Sequence, residues 1–139
     1  MSNEELRFTI PLDPTTKKNS QQIVQVHGRP VVIQKKRYKE YEKAAGEYLP
    51  KLKRPIDEPV VVKAVFFRGT RHRVDKVNLE QALNDILVKY GVLADDNRDI
   101  IASTDGTRVL YDKANPRTEV TIAPLNEEYE RWKNDDTEE

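Results

Sequence analysis

Asp75, Asp85, Asp95 and Asp96 are the residues of this chain whose type and spacing could do chemistry, with Asn78 and Gln81 set between them. Asn78 and Asp85 are seven residues apart, which returns them to nearly the same angle on a helix, and Gln81 lies one turn from each. Asp75 stands just ahead of that helix, and Asp95-Asp96 follow Gly91 by one short segment. Acids before, along and after one helix converge only where the chain folds back, as a right-handed crossover between neighbouring strands allows. Gathered carboxylates, with no cysteine and only two histidines, favour a hard cation, Mg²⁺ above Zn²⁺. One or two Mg²⁺ held this way activate water and neutralise charge developing on a phosphodiester. The same residues also admit a plainer reading, Asp75 as an N-cap and Asp95-Asp96-Asn97 as a solvated turn. Spacing alone leaves both open.

The elements that must position these groups show in the hydrophobic pattern. The spacing predicts a helix over 76–90, where Leu79, Ala82, Leu83, Ile86, Leu87 and Tyr90 fall on one face and Gly91 stops the helix. A second helix is expected over 35–49, with Tyr38, Tyr41, Ala45, Tyr48 and Leu49 near helical spacing and Pro50 at its end. Residues 6–12 alternate as a strand ended by Pro11 and Pro14, and 23–26 and 30–34 flank His27-Gly28-Arg29 as a tight hairpin. The run PVVVKAVFF at 59–67 reads as a central strand covered on both faces. Residues 99–104 and 117–123 read as a long antiparallel pair joined through 111–116. The order β, hairpin, α, β, α, β, β gives an α/β (α+β) fold, a mixed β-sheet of about four main strands with two principal helices packed on it. One domain is expected over 1–125. Residues 126–139, with seven acids, two bases and Trp132, read as an acidic C-terminal helix or tail.

Composition narrows the function classes. A length of 139 residues suits one domain, and 37% hydrophobic against 35% charged residues implies either a thin core under a heavily charged surface or charged segments at the ends. The absence of cysteine excludes disulfides, thiolate metal sites and cysteine nucleophiles, and fits a cytoplasmic location. No apolar run approaches a membrane span, and the start MSNEEL has no apolar core of a secretory signal. The formal net charge of zero conceals an asymmetry. Residues 17–73 carry fifteen Lys/Arg against five Asp/Glu, whereas 74–139 carry eight against sixteen. A basic half can collect phosphates and an acidic half can hold cations, unless the blocks mix on the folded surface. Candidates for phosphate contact are Lys17, Lys18, Lys35, Lys36, Arg37, Arg68, Arg71 and Arg73, the last two beside Asp75. His27 and His72 read as turn and loop residues, Trp132 as an anchor for the C-terminal segment, and Tyr38, Tyr41 and Tyr48 as core or interface residues.

The segment 74–96, VDKVNLEQALNDILVKYGVLADD, resembles the signature of the RusA family of Holliday junction resolvases: D-x-D-N-x-x-K, then a helix, a glycine and a D-D pair. Asp75 falls on the first Asp, Asn78 on the Asn, Asp85 on the Asp within the helix, Gly91 on the glycine and Asp95-Asp96 on the pair. Lys17-Lys18-Asn19-Ser20 is similar to the family's N-terminal DNA-facing loop, and 108–122 to its closing hairpin. The resemblance implies a homodimeric, Mg²⁺-dependent endodeoxyribonuclease that resolves four-way DNA junctions by paired symmetric nicks. It assigns Asp75, Asn78, Asp85 and Asp96 to catalysis, Asp75, Asp95 and Asp96 to the metal, and Lys17, Lys18, Asn19, Arg71 and Arg73 to DNA. Two positions depart from the pattern. Val77 replaces the second Asp and Gln81 replaces the Lys. The site is therefore either rebuilt around the remaining acids, or belongs to a junction-binding module of the same fold that has lost cleavage.

Overall fold

The computed structural model describes residues 5–17, 21–34 and 36–125. In chain order it contains β1 (Leu6–Ile10), β2 (Gln21–Val26), β3 (Arg29–Gln34), α1 (Lys36–Gly46), β4 (Val60–Arg68), α2 (Lys76–Lys89), β5 (Ile101–Ser103), β6 (Arg108–Tyr111) and β7 (Arg117–Pro124). The expected mixed sheet with two helices is present, with five strands in the sheet. Strands β2 and β3 form a separate antiparallel ribbon. Its turn places His27 (φ 53°) and Gly28 (φ 78°) in the left-handed region, the conformation a two-residue hairpin turn requires.

β4 is central because its period of two suits a sheet. Val60, Val62, Ala64 and Phe66 are buried beneath the helices. The opposite face is only half covered, with Lys63 exposed, so the expectation of burial on both faces is corrected. β7 lies antiparallel to β4 on one side and to β1 beyond it. On the other side β5 pairs with the start of β4 and β6 with its end, both parallel.

The expected antiparallel pairing of 99–104 with 117–123 is therefore wrong. β5 and β7 flank β4 on opposite sides. The chain enters β6 from β5 through a turn at Gly106 and crosses the end of β4, where Asp112 N–H donates to Arg68 O at 2.8 Å. Both pairings bury the same apolar alternation, so periodicity could not choose between them.

Leu79, Leu83, Ile86 and Leu87 of α2 join Ile10, Val60, Val62, Phe66, Val120 and Ile122 in one core. Each such side chain contributes on the order of 2 kcal/mol of apolar burial. α1 ends three residues before the expected 49, and Glu47 and Tyr48 tighten its last turn through bonds to Ala44 O and Ala45 O. Gly46 is needed there because a Cβ would stand 2.6 Å from the Tyr90 ring.

Candidate active site

α2 starts at the loop that leaves the C-terminal end of β4 and runs back antiparallel to that strand. Asp75 holds the N-cap position with extended backbone (φ −82°, ψ 127°), and its carbonyl accepts from Asn78 N–H and Leu79 N–H. Its exposed side chain makes no capping hydrogen bond. The carboxylate is thus not spent on the helix end. Asn78 and Asp85 follow, half-buried, along one stripe of α2, with Gln81 exposed between them.

The acids after the helix lie elsewhere. Gly91 (φ 79°) turns the chain, and Ile56 grips the next segment from both sides, donating to Val92 O and accepting from Ala94 N–H, each at 2.9 Å. Ile56 precedes β4, and Ile101 pairs with Val60 at the start of that strand. Asp95 and Asp96 therefore sit at the N-terminal end of β4, and Asp75 at its C-terminal end. A helix of 14 residues separates them, about 21 Å of axis. The parallel crossover forms as expected, yet it does not bring these acids together within one chain. Among the described residues no three His, Asp or Glu side chains are grouped to hold a metal ion. Asp95 Oδ1 accepts from Asp96 N–H at 2.7 Å and Asn97 Oδ1 from Asp99 N–H at 2.9 Å, so this segment is an exposed, self-bonded turn.

The basic candidates divide. Lys17 reaches across from the segment after β1 to Asp85, with Nζ–Oδ2 at 3.0 Å. Arg71 stacks on the Tyr111 ring at 3.9 Å, and Arg73 is exposed two residues before Asp75. Arg68 donates to the carbonyl oxygen of His72, a bond within the loop that leads to Asp75. Lys36 pairs loosely with Glu40 at 3.9 Å, and Arg37 is exposed. Lys18, Asn19, Lys35 and Trp132 lie outside the described residues, as does the tail from 126 onward. Tyr38 is 2% exposed and sits in the core, one of the two places expected for it.

Two positioning residues escaped the sequence reading. Asp13 Oδ1 accepts from Gly69 N–H at 3.1 Å and ties the Lys17 segment to the loop carrying Arg71 and Arg73. Tyr111 supplies the ring beneath Arg71. Asp13, between Leu12 and Pro14, carried a turn signal but none for a partner 56 positions away.

A cleft of about 650 Å³ is lined by Leu6, Leu52, Ile56, Val60 and Ile122 and touches none of these groups. Acids and bases lie instead on an open surface, which suits a long polyanion better than a small ligand. The model of the endodeoxyribonuclease RusA family matches residues 11–123, nearly the whole described fold. The chain belongs to the RusA family. That makes it a member of a family of Holliday-junction-resolving endonucleases. A comparison with curated proteins found no match. Within the RusA pattern, Val77 leaves an apolar side chain 58% exposed where a carboxylate would stand. Mg²⁺ is commonly bound by one or two carboxylates with substrate phosphates and water completing its shell. Exposed Asp75, Asp95 and Asp96 have the chemistry for that mode, but among the described residues no complete ligand set is grouped within one chain. Among the described residues no helix is long and apolar enough to cross a membrane.

Proposed function

We propose that this RusA-family chain is a Mg²⁺-dependent endodeoxyribonuclease that resolves Holliday junctions as a homodimer, by paired symmetric nicks. The observation carrying the reading is that acids of the family pattern stand exposed at both ends of α2, while among the described residues no three His, Asp or Glu side chains are grouped at either end. Two copies about a two-fold axis can set Asp75 of one chain beside Asp95 and Asp96 of the other, where phosphate oxygens complete the shell. A bound Mg²⁺ supplies a Lewis acid that activates water and neutralises charge on the phosphate. Asn78, on the turn after Asp75, donates its amide N–H to a phosphate oxygen, and Arg71 and Arg73 hold the strand beside it.

A synthetic four-way junction tests this. With Mg²⁺ the protein should cut opposing strands at symmetric positions, and Asp96→Asn should abolish cutting while junction affinity stays within a few fold. A second reading, a junction-binding module without cleavage, is favoured by Val77 and Gln81. Tight, salt-sensitive junction binding with no nick in any divalent metal would establish it instead.

A further inference from the structure

We propose that Lys17 supplies the phosphate-facing cation that α2 lacks at Gln81, and that Asp85 is the positioning residue holding it there. The proposal rests on the nuclease reading above and deepens it. Lys17 Nζ lies 3.0 Å from Asp85 Oδ2, and Asp85 is one helical turn after Gln81. Helical side chains lean toward the N-terminus, so the Asp85 carboxylate and the ammonium on it cover the surface around residue 81. A lysine at 81 would reach the same carboxylate as an i,i+4 partner. The cation thus has the same seat whether it comes from position 81 or from Lys17.

The seat is built on one side and open on the other. Beneath it lies the Tyr38 ring, 5.9 Å from Lys17 Nζ and 2% exposed. The Tyr38 hydroxyl has no hydrogen-bond partner among the described residues. Above it, the Lys17 and Asp85 side chains remain 46% and 42% exposed, so an incoming phosphate can meet the ammonium. A pair this exposed contributes little to folding. A merely stabilising role would leave its geometry unexplained. Lys17 forms no covalent bond in this scheme. It offsets charge building on the phosphate as the leaving oxygen departs, an effect worth a hundredfold or so in rate.

Three variants decide the matter, with the full-length protein on a four-way junction. Lys17→Gln should lower the single-turnover rate about a hundredfold, and the double variant Lys17→Gln with Gln81→Lys should recover most of that loss. Asp85→Asn should slow cleavage while affinity stays within threefold, a split that a simple tether would not give. Recovery by Gln81→Lys is the discriminating result, because it restores the cation without restoring the link between the Lys17 segment and α2. If wild-type protein does not cut, the nuclease reading fails by itself, and binding then decides this proposal. Lys17→Gln should reduce the slope of log affinity against log salt by about 0.9, and Gln81→Lys should return it. An unchanged rate or slope in Lys17→Gln, or a double variant no better than the single, overturns the proposal.

Discussion

The Arg71 guanidinium lies 3.9 Å from the centre of the Tyr111 ring, which holds the loop after β4 against the end of β6. Arg71 thereby keeps a defined place beside Asp75 while its N–H groups stay available to a phosphate. Tyr111→Ala should release the loop and weaken junction binding about two- to fivefold, the worth of an exposed cation–π contact. Tyr111→Phe should bind as wild type, since it keeps the ring. Equal losses in both would assign the effect to the hydroxyl.

Asp13 acts on the same surface from the other side. Its carboxylate accepts from Gly69 N–H at 3.1 Å and couples the segment bearing Lys17 to the loop bearing Arg71 and Arg73. A hydrogen bond to a charged acceptor contributes about 1.5–3 kcal/mol. Asp13→Ala should therefore lower the urea midpoint measurably and reduce the rate of junction cleavage, with both strands of the junction affected alike. Unchanged stability with unchanged cleavage would show the two segments to be independent.

What could be read from the residues was local. The α2 stripe follows from burial on one face and His27-Gly28 from turn chemistry, whereas the near-continuous apolar run at 59–67 concealed that β4 is fully buried on one face only. The partners of 101–103 and 117–124 could not be read, because Ile101, Val120 and Ile122 are apolar in any register that buries them. Position along the helix mattered more. Periodicity put Asn78 and Asp85 on one stripe but said nothing about which end of the sheet holds Asp95. That depends on α2 running antiparallel to β4, which separates Asp75 from Asp96. Lys17–Asp85 and Asp13–Gly69 join residues 68 and 56 positions apart, and no local pattern announces either.

Stability should fall steeply above about pH 10. Burial pushes the Tyr41 phenol up to about 12 from an ordinary 10.0. Burial, then the carboxylates of Glu42 and Asp85, raises Tyr38 as well. The unfolded chain releases these protons first, so the stabilisation is complete below the ordinary value and is lost as pH rises through the folded values. Each phenol contributes a slope of at most about 1.4 kcal/mol per pH unit across that window. Urea midpoints between pH 9 and 12 should drop less steeply in Tyr41→Phe than in wild type. Parallel curves would mean that other groups cause the alkaline loss.

Asp75 and Asp96 stand at opposite ends of α2, and this arrangement makes a shared site testable by mixing. Asp75→Asn and Asp96→Asn should each be inactive alone. In a mixed dimer, the chain carrying Asp75→Asn keeps its own Asp96, and its partner keeps Asp75. If the site forms between copies, those two native acids meet in one place, while the two substituted positions meet in the other. Subunit exchange at equal amounts makes about half the dimers mixed, so about a quarter of the wild-type number of sites should return. Each mixed dimer has a single working site, so junctions should be nicked on one strand and should not be resolved into linear duplexes. Light scattering should give about twice the 16.1 kDa chain mass throughout. No recovered nicking after complete exchange would put both acids to work within one chain. A monomer, whether free or on the junction, would remove the paired-nick mechanism altogether.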